Sequence, residues 1–124
     1  MRDEYTNTPT LRRYESRSRL MISLINGIWK IYETLWTLRC NKLHYDLGIV
    51  LHDLGKNKQA ESAYRTALKL NPNHAEAYNN LGTIFGQSGD HKAASEMFAK
   101  ALALNPDYAA AADNLARARK ALGQ

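Results

Sequence analysis

The chain has 124 residues, of which 44% are hydrophobic and 23% are charged, as is usual for a single globular domain. Its one cysteine, Cys40, excludes an internal disulfide and fits a reducing compartment, so we expect a cytoplasmic location, with a membrane-peripheral one as the alternative. The net charge is +5, but residues 41–108 hold seven basic and seven acidic residues. A neutral middle binds phosphate groups poorly, and we therefore expect no specific nucleic-acid partner.

The N-terminal third of the chain does not share the pattern of the rest. Residues 1–17 show no apolar period, and we expect a flexible basic tail. Residues 18–40 are predicted to form an amphipathic helix, because the apolar residues between Leu20 and Leu38 occupy one arc of roughly 200° on a helical wheel. Asn26, Lys30 and Glu33 lie on the opposite stripe, which argues against a membrane span. Three roles stay open: a helix that docks or self-associates, a membrane-surface helix, and a cleaved targeting segment.

Residues 41–74 and 75–108 form an internal repeat, and its period of about 34 residues is typical of proteins built from stacked helical units. The matching positions are Leu47 and Leu81, Gly48 and Gly82, Leu51 and Phe85, Gly55 and Gly89, Ala60 and Ala94, Tyr64 and Phe98, Ala67 and Ala101, Leu68 and Leu102, and Asn71-Pro72 and Asn105-Pro106. The interval is the same for every pair, and no insertion or deletion is needed to align the two units. The repeat is the strongest signal in the sequence.

Each unit reads as helix, turn, helix and stop. In the second unit a helical apolar spacing runs from Glu76 to Gln87, and Gly89-Asp90 supplies a turn and an N-cap for a helix from His91 to Leu104. Asn105-Pro106 ends that helix, because a residue before proline avoids the helical region. An interior glycine costs a helix about 1 kcal/mol relative to alanine. We interpret the glycines at positions 48 and 82 as sites where the two helices of a unit approach closely.

This pattern resembles the tetratricopeptide repeat, which reads W-x2-L-G-x2-Y, A-x3-F and P within one unit. The matching segments are Tyr78-x2-Leu81-Gly82-x2-Phe85, Ala94-x3-Phe98 and Pro106, and His44-x2-Leu47-Gly48-x2-Leu51, Ala60-x3-Tyr64 and Pro72. His44 departs from the family, which has a large aromatic residue there. The resemblance implies an all-α, right-handed superhelical α-solenoid of helix-turn-helix units, preceded here by the amphipathic helix. Residues 109–124 are expected to be a partial third unit that acts as a capping helix and ends at a true C-terminus.

The sequence offers no catalytic constellation. His44 and His52 are eight residues apart on one predicted helix, about 12 Å, and cannot share a metal ion. His74 and His91 have no Cys or carboxylate partner at ligand spacing, and no glycine-rich loop could hold a phosphate. We therefore expect a protein that is not an enzyme and that needs no metal or cofactor.

The resemblance implies that the first helices of successive units line a concave groove for an extended peptide or a partner helix. The groove-facing candidates are Tyr45, Asp46, Ile49, His52, Asp53, Asn79, Asn80, Thr83, Gln87 and Asn114. Asp46, Asn80 and Asn114 follow one another at intervals of one repeat, and this row looks like the asparagine ladder of O-linked N-acetylglucosamine transferase, which holds a peptide backbone. The basic clamp of co-chaperone repeats is not reproduced, because Tyr45 and Ile49 stand at its positions.

The expected function is that of an adaptor or scaffold that binds a peptide or helix of another protein in this groove. The alternative is an assembly protein that self-associates, or lies on a membrane surface, through the amphipathic helix between residues 20 and 38. Under that alternative a second copy of the chain would be a partner.

Overall fold

All regular structure in the described part of the chain is α-helical. The computed structural model describes residues 9–124, with side chains from Ser16 onward. The helices are α1 (Pro9–Asp53), α2 (Asn57–Leu70), α3 (Ala75–Gln87), α4 (His91–Leu104) and α5 (Ala109–Ala121). The chain divides into two compact units, Met1–Trp36 and Thr37–Gln124. The all-α fold predicted from the sequence is confirmed.

In the first unit the described residues belong to α1. Within the described residues of this unit, α1 runs from Pro9 to Trp36. Residues 9–17, which we expected in a flexible tail, are helical instead, because no proline or glycine interrupts the segment after Pro9. The remainder of the predicted tail, residues 1–8, lies outside the described residues. The helix predicted for residues 18–40 is also part of α1.

Large apolar side chains of the first unit are exposed. The two tryptophans, Trp29 and Trp36, expose 70% and 71% of their surface. The others are Leu20, Met21, Ile22, Leu24, Ile25, Ile28, Ile31, Tyr32 and Leu35. None of the helices in the described range is long and apolar enough to cross a membrane.

The second unit contains the repeats. We call residues 41–53 of α1, α3 and α5 the first helices, and α2 and α4 the second helices. Each first helix ends in the same turn, with a glycine in the left-handed region at Gly55 (φ 73°), Gly89 (φ 85°) and Gly123 (φ 77°). The backbone N–H of the residue after the glycine donates a hydrogen bond back to the helix. Lys56 N–H donates to Leu51 O at 2.8 Å, and Asp90 N–H donates to Phe85 O at 2.9 Å. The period of the sequence is therefore also a period of backbone geometry.

Two apolar clusters hold the repeats together. Ala60 and Tyr64 of α2 are buried with Leu81 and Ile84 of α3. The second cluster is built in the same way one unit later, with Ala94 and Phe98 of α4 buried with Leu115 and Ala118 of α5. Phe85 packs against both clusters, so the core of the second unit is continuous along the repeats.

The interior glycines are the points of closest approach between the helices. A Cβ atom at Gly48 would lie 2.6 Å from Tyr64 Cε1, and one at Gly82 would lie 2.7 Å from Phe98 Cε1. Ordinary contacts to a Cβ atom are 3.4–4 Å. An aromatic ring of the second helix therefore lies directly on the backbone of the first helix in both repeats.

Candidate functional site

The row of first helices places the ten predicted groove residues at different depths. Asn79 is buried, and Asp53 and Gln87 are the most accessible members at the end of their helices. The remaining seven are partly buried: Tyr45, Asp46, Ile49, His52, Asn80, Thr83 and Asn114. A partly buried polar side chain can bind a ligand and still be held in place by its neighbours. Asn79 is the member of the set that has least access to a ligand.

Hydrogen bonds between neighbouring first helices join side chains one repeat and one residue apart. Asn80 Nδ2 donates to Tyr45 Oη at 3.3 Å, and Asn114 Nδ2 donates to Asn79 Oδ1 at 3.0 Å. Each of these two ladder asparagines therefore contacts a residue of the previous unit. That residue comes just before the asparagine's own equivalent: Tyr45 precedes Asp46, and Asn79 precedes Asn80. Asp46, the first member of the predicted row, instead accepts from Lys42 Nζ at 2.8 Å on its own helix.

These contacts decide which polar atoms the asparagines can offer to a ligand. Each of Asn80 and Asn114 uses one N–H on a neighbour, while no group in the described residues donates to either Oδ1. An amide oxygen accepts from a peptide N–H. The ladder therefore retains an acceptor at two positions, one repeat apart, and both amides are oriented before any ligand arrives.

Gln87, the last residue of α3, can donate a hydrogen bond to a ligand, whereas Asn80 and Asn114 can accept one. Its Oε1 lies 3.1 Å from His52 Nε2 and accepts from Asn57 Nδ2 at 3.3 Å. With the oxygen occupied by two neighbours, the Nε2 amide group is the part of the side chain that can donate to a ligand carbonyl.

An aromatic cluster lies at the opposite end of the row, and its Tyr64 ring is buried. The Tyr45 ring centroid lies 4.4 Å from that of His74 and 5.9 Å from that of Tyr64. Burial raises the pKa of the Tyr45 phenol above its usual 10, and the nearby Tyr108 and Glu76 raise it further. Burial also raises the pKa of Tyr64 to about 12. These phenols are therefore neutral at physiological pH.

A cavity of about 270 Å³ opens between α3, α4 and α5. Its lining includes three predicted residues, Thr83, Gln87 and Asn114, and two that the sequence analysis did not select, His91 and Arg117. Arg117 lies one repeat after Thr83, so the same repeat rule that selected Thr83 could have found it.

The side chains of this row can make hydrogen bonds and aromatic contacts with a ligand. No group of three or more His, Cys, Asp or Glu side chains in the described range could hold a metal ion. The row instead combines amide acceptors, an amide donor and aromatic rings, which are the groups that bind a peptide backbone and its side chains.

Comparisons with known proteins agree with the repeat. A model of the tetratricopeptide repeat family matches residues 38–107. The chain is 49% identical over 61 residues to Protein O-mannosyl-transferase TMTC1 of Homo sapiens and of Mus musculus. Each match covers 44% of this chain, which spans only 7% and 6% of the length of these two relatives.

Solved structures share the fold. The crystal structure of MamA superimposes with a TM-score of 0.65 and 26% identity, over 67% of this chain and 48% of that one. The structure of YrrB, described as a TPR protein with an unusual peptide-binding site, gives a TM-score of 0.57 and 26% identity over 59% of this chain and 38% of that one. The fold is one that serves protein interaction. With a family match over more than half of its length, the chain belongs to the tetratricopeptide repeat family.

Proposed function

We propose that the row of first helices binds an extended peptide segment of another protein and that the chain acts as an adaptor or scaffold. The observation that carries this proposal is the pair of partly buried asparagines, Asn80 and Asn114, each fixed by a hydrogen bond and each with an available Oδ1. Two acceptors at equivalent places in successive units suit a repeating ligand, and an extended backbone is such a ligand. The peptide-binding site named for YrrB supports the proposal by analogy of fold.

We assign this chain an interaction role and no catalytic one. The transferase named among its relatives is a protein of which this chain spans 7% of the length. The chain would then position or recruit a protein rather than transform it.

The sharpest test uses Asn80, because its hydrogen bond to Tyr45 can be removed from either side. Partners are captured from a native lysate with the intact chain, with Asn80→Ala and with Tyr45→Phe. The two variants lose the same hydrogen bond, but only the first loses the Asn80 amide. Asn73→Ala, an exposed asparagine in the turn before α3, is the matched control for the substitution itself.

Loss of a partner with Asn80→Ala, but not with Tyr45→Phe or Asn73→Ala, is the expected result. All three variants should retain the helicity and the melting temperature of the parent within a few degrees. If every variant captures the same partners as the intact chain, the ladder is not the binding surface and the proposal is wrong. Asn114→Ala is a weaker probe, because it also removes the donor to the buried Asn79.

A second candidate function is assembly through residues 20–38. The exposed apolar side chains of the first unit, with Trp29 and Trp36 among them, favour it, because water-exposed apolar surface of this extent usually marks an interaction site. Light scattering at high protein concentration should then show oligomers that Trp29→Ser with Trp36→Ser reduces to monomer. A strict monomer for the intact chain would reject this function.

Binding to a membrane surface is the other form of this alternative. Arg17 and Arg19 precede the apolar segment, and basic residues beside an amphipathic helix attract anionic lipid. Co-sedimentation with anionic vesicles at low salt, and its loss with Arg17→Gln and Arg19→Gln, is the expected result. A chain that stays in the supernatant with such vesicles has no such role.

A further inference from the structure

An apolar face on the first helix of the first repeat is exposed. It consists of Leu43, Leu47, Val50 and Leu54, which we call the end face. Their spacing of four, three and four residues places them on one side of α1 and the turn that follows it. They expose 60%, 48%, 55% and 64% of their surface.

The positions of Leu43, Leu47 and Val50 are buried at both later places in the repeats, whereas the equivalents of Leu54, which are Ser88 and Leu122, are exposed. In α3 the equivalent residues Ala77, Leu81 and Ile84 expose 0%, 3% and 3%, and in α5 Ala111, Leu115 and Ala118 expose 0%, 9% and 5%. α2 covers the face of α3, and α4 covers that of α5. The fold therefore shows twice what covers this surface: the second helix of the preceding unit.

The covering helices share one chemistry. Each presents a small, an aromatic and a small residue at spacings of four and three: Ala60, Tyr64 and Ala67 in α2, and Ala94, Phe98 and Ala101 in α4. The alanines let the helix backbones approach, and the ring fills the space between them. All six side chains are buried within the chain.

From this we propose that the end face docks a helix of a partner protein that carries an exposed small–aromatic–small stripe of the α2 and α4 type. A second copy of this chain fits less well for two reasons. Its own stripes are taken, because Tyr64 and Phe98 of that copy are already buried at 0% and 4%. Its exposed segment 20–38 carries no such stripe, because Trp29 has the large residues Ile25 and Tyr32 at these spacings. An anionic lipid surface also fits less well, because Asp53 lies three residues from Val50, and Asp46, three residues from Leu43, neutralises the neighbouring Lys42. The end face is distinct from the row of polar groove residues on which the proposed peptide binding rests.

The test adds such a helix to the intact chain. The probe is a synthetic peptide of residues 90–106 in which a lactam joins the side chains of Lys92 and Glu96. These two residues are four apart in α4 and lie outside the buried stripe, so the link orders the helix away from the side that must bind. Backbone NMR shifts of the labelled chain locate the peptide, and fluorescence anisotropy measures its affinity.

Binding with shifts centred on Leu43, Leu47 and Val50 is the expected result. Leu47→Gln should weaken it by about tenfold or more, because a buried leucine side chain supplies that much affinity. Leu104→Gln, which changes an exposed leucine outside the end face, should leave it unchanged. The peptide that carries Phe98→Gln should bind the intact chain with a weak affinity, similar to that of the unchanged peptide for the Leu47→Gln chain. Thermal melts confirm that both chain variants remain folded.

Five results would overturn the proposal. No shifts at millimolar peptide, or equal weakening by Leu47→Gln and Leu104→Gln, would show that the end face does not select this helix. Shifts at Leu115 in place of Leu47 would show that the peptide merely exchanges with α4. Dimers in light scattering that Leu47→Gln abolishes would assign the face to a second copy. Vesicle binding lost in the same variant would assign it to lipid.

Discussion

The packing of an aromatic ring on a helix glycine predicts that Gly82→Ala destabilises this protein, although glycine to alanine normally favours a helix. The substitution gains about 1 kcal/mol of helix propensity. Against this, the new Cβ would lie 2.7 Å from Phe98 Cε1 and 2.9 Å from Cδ1, where ordinary contacts begin at 3.4 Å. The Phe98 ring is buried and its surroundings are packed, so overlap of this kind costs about 1–3 kcal/mol.

Gly86→Ala is the matched control, because it makes the same change in the same helix. Its Cβ would lie 3.9 Å from the nearest side-chain atom, Ala94 Cβ, and would meet no overlap. This variant should therefore be more stable than the parent by up to about 1 kcal/mol. The two variants should then differ by about 2 kcal/mol in the free energy of unfolding, or roughly 8–10 °C in melting temperature.

Urea unfolding followed by helical circular dichroism measures both variants against the parent. Gly48→Ala supplies an independent repetition, because its Cβ would lie 2.6 Å from Tyr64 Cε1. Its effect should have the same sign as that of Gly82→Ala. If Gly82→Ala stabilises the chain as much as Gly86→Ala does, the close approach of ring and backbone is not a constraint, and the reasoning is refuted.

Three further predictions concern single polar side chains. Burial raises the pKa of Tyr64 to about 12, so the phenol loses its proton at a lower pH in the unfolded chain than in the folded one. The free energy of unfolding should therefore fall between about pH 10 and pH 12. Urea titrations should show a smaller fall for Tyr64→Phe, and an equal fall would contradict the assignment. Asp90→Ala should lower the free energy of unfolding by about 1 kcal/mol, because Asp90 Oδ1 accepts from the Ala93 N–H at 3.0 Å and caps α4. Lys56 is the equivalent cap of α2 and forms no such bond, so Lys56→Ala should change the free energy of unfolding by less than about 0.5 kcal/mol. Asn114→Ala should cost about 1–3 kcal/mol by removing the donor to the buried Asn79, and an unchanged urea midpoint would show that this bond contributes nothing.

The first helices show how far the sequence could predict the candidate site. The repeat period located Asn80 and Asn114 at equivalent places, and it also contained the information needed to select Arg117. It could not show that Asn79 is buried, because a residue next to the groove stripe on a helical wheel can face either the groove or the neighbouring helix. That choice depends on the angle between packed helices, which no local pattern encodes.

The hydrogen bonds of the site were also beyond the sequence. Tyr45 and Asn80, like His52 and Gln87, meet only because consecutive first helices lie side by side with an offset of one residue relative to the repeat. The repeat fixes the interval between equivalent residues, while the offset arises from the way the helices pack. The sequence therefore predicted the row of asparagines but not the neighbours that hold them.

The sequence by itself determined the helices and turns of the repeats and their order, because these depend on local chemistry repeated at a fixed interval. Glycine permits the left-handed turn at positions 55 and 89, Asn-Pro stops the second helices, and apolar spacing sets the buried side of each. Only the tertiary structure decided which of the equivalent helix faces are buried by a neighbouring helix. Leu47 and Leu81 are the same residue at the same place in the repeat, yet Leu81 is buried and Leu47 is half exposed, because burial depends on what lies beside a helix and not on the helix's own sequence.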